Sequence, residues 1–377
     1  MKKQIIYADN AATTKLDIAA FEAMKPYLLD EYGNASQPYS FARQPKQALK
    51  EARMTIALCI NADPDEIFFT SGGTESDNWA IKGVALAASK KNAVITSQIE
   101  HHAVLRACEE IKKLGCPVSY APVTSEGTVL VETLEAMITP STCLVSIMLA
   151  NNEIGTIEPI RALCDIAHRN GALFHTDAVQ AVGHIRVDVK ELGVDMLSAS
   201  AHKFNGPKGI GFLYIKKGTP ISPYAHGGAQ EFGMRAGTEN IASIVGMAVA
   251  LRKNCDAIVS NTKYIEDMET QLINSLSYEG LDFVRNGSAQ RVPGNVSLSF
   301  NNVDGEALLH RLDLMGICVS TGAACDTINT QVSHVLRSIG RQEQYAKGTV
   351  RISLGAENTK DEIDVIVRSL VSLLKKR

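Results

Sequence analysis

Two charged residues at the ends of apolar runs, Asp177 and Lys203, carry the most legible chemistry in this 377-residue chain. Asp177 closes Gly171-Ala-Leu-Phe-His-Thr-Asp177, and Lys203 closes Val194-Asp-Met-Leu-Ser-Ala-Ser-Ala-His-Lys203. Each run reads as a short buried strand that delivers a charge at its exit. A lone charge is costly to bury unless it is paired or meets a ligand. An acid and a lysine at the ends of neighbouring strands are the parts a pyridoxal phosphate (PLP) site needs: the lysine makes a Schiff base and the acid holds the pyridinium proton.

A phosphate needs its own cradle. The turn Thr70-Ser-Gly-Gly-Thr-Glu-Ser76 lies between an apolar strand and a helical stretch, where backbone N–H groups and the helix dipole favour an anion. It matches neither a Walker loop nor a Gly-x-Gly-x-x-Gly fingerprint. Gly73 and Thr74 gain weight from Ser200, a second hydroxyl three residues before Lys203. Other candidates sit at strand exits, the edge at which parallel sheets bind ligands. His101 could stack on a flat ring or shuttle protons, and Asn152 and Gln180 could hydrogen-bond a ring oxygen. Taken alone, each has a plainer reading: a capping or core histidine, a turn asparagine, a surface glutamine.

The elements that must position these residues alternate. Strands are expected at 67–70, 93–97, 143–149, 171–177, 194–203 and 209–215, with helices through 88, over 101–114 and over 159–170. Apolar strands separated by helices argue for a mostly parallel sheet covered on both faces. Later the pattern changes. A long helix near 259–278 precedes strands at 295–300 and 349–354 and a terminal helix from about Thr359. The expected fold is α/β, with a large cofactor-binding domain over 16–255, a smaller α+β domain over 256–377, and residues 1–15 joining them.

Composition narrows the class. With 38 basic and 41 acidic residues, net charge points to neither nucleic acid nor a membrane surface. No apolar run is long enough to span a bilayer, and the first residues lack a signal-peptide core. The eight cysteines form no Cys-x-x-Cys pair and no metal-ligand spacing with histidine, so no metal is expected; they read as reduced thiols in a cytoplasmic protein.

The ordered motifs resemble those of the cysteine desulfurases, in the class V branch of the type I PLP enzymes. They are Tyr7-Ala-Asp-Asn-Ala-Ala-Thr-Thr14, the Gly-rich turn, Glu100-His101, Asn151-Asn-Glu-Ile-Gly155, Thr176-Asp-Ala-Val-Gln180 and Ser200-Ala-His-Lys203 with Gly206-Pro-Lys-Gly209. Arg235-Ala-Gly-Thr-Glu-Asn240, Thr321-Gly-Ala-Ala-Cys325, Ser333-His-Val-Leu-Arg337 and Thr349-Val-Arg-Ile-Ser-Leu-Gly355 complete the set. The match spans essentially the whole chain.

The resemblance implies a type I PLP-enzyme fold and a role for each matching residue. Lys203 holds the cofactor and moves the α-proton, Asp177 pairs with the pyridine nitrogen, and His101 stacks on the ring. Asn152 and Gln180 bond the ring, with Asn152 also near the substrate. Gly73, Thr74, Ser200 and His202 hold the phosphate, while Thr238 reaches the phosphate of a second subunit and makes a homodimer part of the site. Arg351 is placed to pair with the substrate carboxylate, where a guanidinium fork fits best. Cys325 follows the apolar run Gly316-Ile-Cys-Val-Ser320 and leads a polar loop, which suits a nucleophile. Cys318 reads as core.

The implied reaction takes sulfur from L-cysteine to leave L-alanine and a persulfide on Cys325. The sulfur then passes to an acceptor protein, such as an iron–sulfur scaffold or a tRNA-thiolation enzyme. Two departures stand out. The family pattern has proline after Asn34 and histidine at position 39, where this chain has Ala35 and Tyr39. Small serines usually follow the nucleophile, whereas Asp326 here would oppose thiolate formation. The competing readings are a selenocysteine lyase or cysteine sulfinate desulfinase, a class V aminotransferase, and a catalytically silent sulfur-relay subunit.

Overall fold

The computed structural model describes residues 5–87, 91–321 and 332–375. Strand β1 (Ile6–Tyr7) opens the described chain. Seven further strands build the central sheet: β2 (Ile67–Thr70), β3 (Ala93–Ser97), β4 (Val118–Ala121), β5 (Thr142–Ser146), β6 (Leu173–Asp177), β7 (Met196–Ser200) and β8 (Gly211–Ile215). Their spatial order is β2-β8-β7-β6-β5-β3-β4. The five strands from β7 to β4 are parallel, and β8 runs antiparallel to both β2 and β7. All residues of β2, β3, β5, β7 and β8 are buried, as expected for a sheet covered on both faces.

Two large cores lie on the central sheet. One packs Phe174, Phe204 and Phe212 with Met247 and Leu251. The other packs Trp79, Ile81 and Val84 of the helix Gly73–Ala87 on Phe68, Val94 and Leu213. A third core, separate in sequence, surrounds the antiparallel strands β9 (Phe283–Arg285), β10 (Asn295–Phe300) and β12 (Thr349–Ser353). Strand β11 (Ile317–Cys318) pairs in parallel with β1, so the N-terminal segment joins this third core through Ile6 and Ala8.

The strands expected at 67–70, 93–97 and 295–300 are found with those bounds. The long helix differs. It runs Ile241–Tyr278, 38 residues, and begins well before the expected 259. Its first eleven residues, 241–251, are apolar nearly all round because they are largely buried; at Gly246 an added Cβ would lie 2.7 Å from Met24 Cγ. Such a stretch shows no amphipathic period. The expected division at 255/256 falls inside this helix. Cys318 is half-buried rather than core, because its strand has only two residues and pairs on one side.

Candidate active site

Ten of the twelve residues expected to do chemistry converge on one cavity of about 520 Å³ at the carboxyl ends of the parallel strands. Gly73, Thr74, His101, Asn152, Asp177, Gln180, Ser200, His202, Lys203 and Arg351 all line it. The helix Gly73–Ala87 begins at one wall. There the backbone must come close: a Cβ on Gly73 would sit 2.6 Å from Val179 Cγ2, and one on Gly72 would sit 3.3 Å from Ser200 Oγ. Glycines that leave room at a helix N-terminus, beside hydroxyls from Thr74 and Ser200, make a cradle suited to a phosphate.

Asp177 leaves the end of β6 and accepts a hydrogen bond from the Val179 backbone N–H at 2.9 Å. Burial pushes its pKa up to about 6, against the pull of that N–H and of the Lys203 ammonium. A carboxylate so desolvated gains from a cation placed against it. Lys203 lies at the end of the short helical turn after β7, and its Nζ donates to the carbonyls of Ala11 at 2.6 Å and Ala12 at 2.8 Å. Gln180 Nε2 reaches the same Ala11 carbonyl at 2.9 Å. The N-terminal segment therefore closes one side of the cavity.

His101 combines both of its readings. Its Nδ1 accepts from the Ala103 N–H at 3.1 Å and caps the helix His102–Lys113, while the ring faces the cavity. Burial, aided by Lys203, lowers its pKa to about 4, so the ring is neutral. With Nδ1 accepting, the hydrogen bond assigns the proton to Nε2. His202 is likewise held neutral, its pKa lowered to about 4 mainly by burial, with Nδ1 3.1 Å from Thr13 Oγ1.

Arg351 comes from β12 in the third core. Its Nη2 donates to Asp9 Oδ1 at 2.6 Å and its Nη1 to the Asn152 carbonyl at 2.9 Å. Its buried Nε has no hydrogen-bond partner, although the residue lines the cavity.

Thr238 stands apart. It is exposed and does not line the cavity of its own chain. Its segment is tied to the cradle by Arg235, whose Nε donates to Glu75 Oε1 at 2.8 Å. Cys325 lies outside the described residues, as does Asp326.

Three comparisons place this geometry. The model of the aminotransferase class-V family matches residues 6–366. The chain belongs to the class-V aminotransferase family. Among class-V relatives, a protein of Dictyoglomus turgidum named cysteine desulfurase IscS is 48% identical over 99% of this chain and 95% of its own. One of Clostridium botulinum with the same name is 45% identical over 100% of this chain and 96% of its own. A solved structure titled NifS-like protein superposes with a TM-score of 0.93 at 38% identity, covering 99% of this chain and 100% of that one. Another, titled SspA in complex with cysteine, superposes with a TM-score of 0.83 at 34% identity, covering 94% of this chain and 100% of that one. PLP is the cofactor of this class-V enzyme, and the cavity fits it: a glycine cradle, a desolvated acid, a flat-ring partner and a lysine surround one space.

The sequence reading gave no role to several lining groups, among them the carbonyls of Ala11 and Ala12, the hydroxyl of Thr13, and Asp77. The first three lie in the motif Asp9-Asn-Ala-Ala-Thr13, whose position in the cavity depends on a contact across 191 or 192 residues. Asp77 lies one residue beyond the Gly-rich turn. Its carboxylate oxygen, an Asp177 oxygen and a His101 nitrogen all lie within 4.8 Å of one another.

Proposed function

We propose that this chain is a cysteine desulfurase that uses PLP to take sulfur from L-cysteine, releasing L-alanine and leaving a persulfide on Cys325. The observation that carries the proposal is the convergence of Lys203, Asp177, His101, Arg351 and the Gly73 cradle on one cavity. Lys203 would hold the cofactor covalently, Asp177 would face its ring nitrogen, and Gly73, Thr74, Ser200 and His202 would hold its phosphate. When bound, PLP supplies an electron sink beside the substrate's α-carbon.

The chain's own groups do the rest. The Arg351 fork takes the substrate carboxylate through Nε and Nη2, which requires Asp9 to yield Nη2. Asn152, whose carbonyl fixes Nη1, orients the fork. Lys203 Nζ moves the α-proton, and His101 offers or recovers a proton at Nε2. Cys325, as thiolate, attacks the substrate sulfur: an S–S bond forms as the C–S bond breaks, the C–S electron pair stays with the β-carbon, that carbon takes up a proton, and alanine leaves.

Thr238 of a second copy would complete the phosphate site, which makes the working unit a homodimer. The acceptor is a protein thiol able to take the persulfide sulfur, as on an iron–sulfur scaffold. The cytoplasmic setting rests on reduced thiols; no described helix is long and apolar enough to cross a membrane. The two-domain division is part of this proposal, with the helix Ile241–Tyr278 shared between the two parts.

The experiment is one assay of purified protein with L-cysteine and a thiol reductant, reading alanine and sulfide together, for wild type and Cys325→Ala. Equal yields of both products, lost with Cys325, support the proposal. Product formation that survives the substitution, or faster release from selenocysteine or cysteine sulfinate, favours the lyase reading.

A further inference from the structure

Asp77 has no place in the mechanism above, yet it lines the same cavity and only 1% of it is exposed. It points from the helix Gly73–Ala87 onto the sheet face carrying Ser146, His175 and Ser198 on β5, β6 and β7; Ser146 pairs with His175, and Ser198, paired with Asp177, lies two residues further along the same face. His175 Nδ1 lies 2.8 Å from Ser146 Oγ and its Nε2 2.9 Å from Ser198 Oγ. Ser198 in turn bonds Asp77. Asp77 Oδ1 has no hydrogen-bond partner, and its closest cationic candidate is His175 Nε2 at 3.7 Å.

That candidate carries no charge, because burial holds the His175 pKa at about 3. The other titratable groups facing Asp77 are Asp177 on β6, Glu100 after β3 and the neutral His101. Two carboxylates this close in a dry site do not both ionise.

The surroundings decide which one keeps the proton. Asp177 has the Val179 N–H and the Lys203 ammonium; Asp77 has only the Ser198 hydroxyl to favour its charge, against complete burial, one unpaired oxygen and a second acid, Glu100, nearby. We propose that Asp77 is a positioning residue for the cofactor-facing carboxylate: Asp77 and Asp177 hold one negative charge between them, with the proton on Asp77 and the charge on Asp177. The neutral acid donates into the Ser198–His175–Ser146 string and keeps Asp177 the anion that a pyridinium requires. This inference rests on the PLP reading of the cavity.

The test uses the full chain, with and without PLP. Asp77→Asn mimics the neutral acid, so its PLP dissociation constant is expected within about threefold of wild type, while Asp77→Ala weakens binding about tenfold. The protonated acid also has a signature without cofactor. Its folded pKa lies above the unfolded value, so the folded state keeps a proton that the unfolded state releases. Stability therefore falls as pH rises through the window above the usual aspartate range, and Asp77→Asn flattens that fall.

Burial also pushes Glu100 and Glu158 up to about 8, so the matching spectroscopic result is one component of the infrared carboxylic-acid band at neutral pH that is lost in Asp77→Asn while the remainder persists. The inference is overturned if Asp77→Asn weakens PLP tenfold or more, or if Asp77→Ala binds PLP as wild type does. It is equally overturned if the cofactor-free protein shows neither that component nor the altered pH slope. Asp177→Asn serves as the separate control: if it leaves PLP binding intact, the cofactor reading itself fails.

Discussion

The two walls of the cavity are built differently. The wall on the parallel sheet is open or poorly compensated: a helix start where no Cβ fits at Gly73, a desolvated Asp177 held by one backbone N–H, and an Asp77 oxygen with no donor. The wall from the third core is partly satisfied within the chain, with two of the three Arg351 guanidinium nitrogens bonded to Asp9 and Asn152. The first wall is complementary to a ligand that stays; the second is latched and must be opened by a ligand that comes and goes. This matches a resident cofactor on one side and a substrate carboxylate on the other.

Substitutions can break or sharpen that contrast. Lys203→Ala removes the proposed covalent anchor and proton carrier together, and alanine production should fall by at least about 1000-fold, read by product chromatography. Arg351→Lys keeps charge but loses the fork; KM for L-cysteine should rise about ten- to a hundredfold, with kcat less affected, in steady-state kinetics. Gly73→Ala puts a Cβ 2.6 Å from Val179 Cγ2, and PLP affinity should drop about tenfold by absorbance titration.

The smallest expected effect tests the latch itself. Asp9→Asn removes the competing anion, so KM should fall about two- to threefold. A rise of similar size would mean that Asp9 positions the guanidinium instead of competing for it. Acid should also loosen the first wall. His101 has its folded pKa held at about 4, so the unfolded state alone takes up a proton as pH falls below the usual histidine value of 6.5. Stability should drop across that window in thermal melts, and His101→Asn, which retains a capping acceptor, should show a shallower drop.

The first wall was largely legible in the sequence, because its residues sit at exits of apolar strands, where the run and the charged terminus are contiguous. Asp177, Lys203 and the Gly73 turn could be read in this way. Asp77 could not. An acid inside a helix reads as a solvated face, and only the polar stripe of Ser146, His175 and Ser198 across three strands makes that face an interior one.

The second wall was half legible. Arg351 carries its motif, but its pairing with Asp9 spans 342 residues and has no local signal. The start of the long helix at Ile241 was hidden for the opposite reason: burial on most sides leaves no period to read.

The central claim is that the sheet-side wall anchors PLP through Lys203. The most direct test is borohydride reduction of the PLP-loaded protein followed by peptide mapping by mass spectrometry. The account predicts a pyridoxyl group on Lys203 that disappears in Lys203→Ala. Labelling of another lysine in the wild-type protein would contradict it.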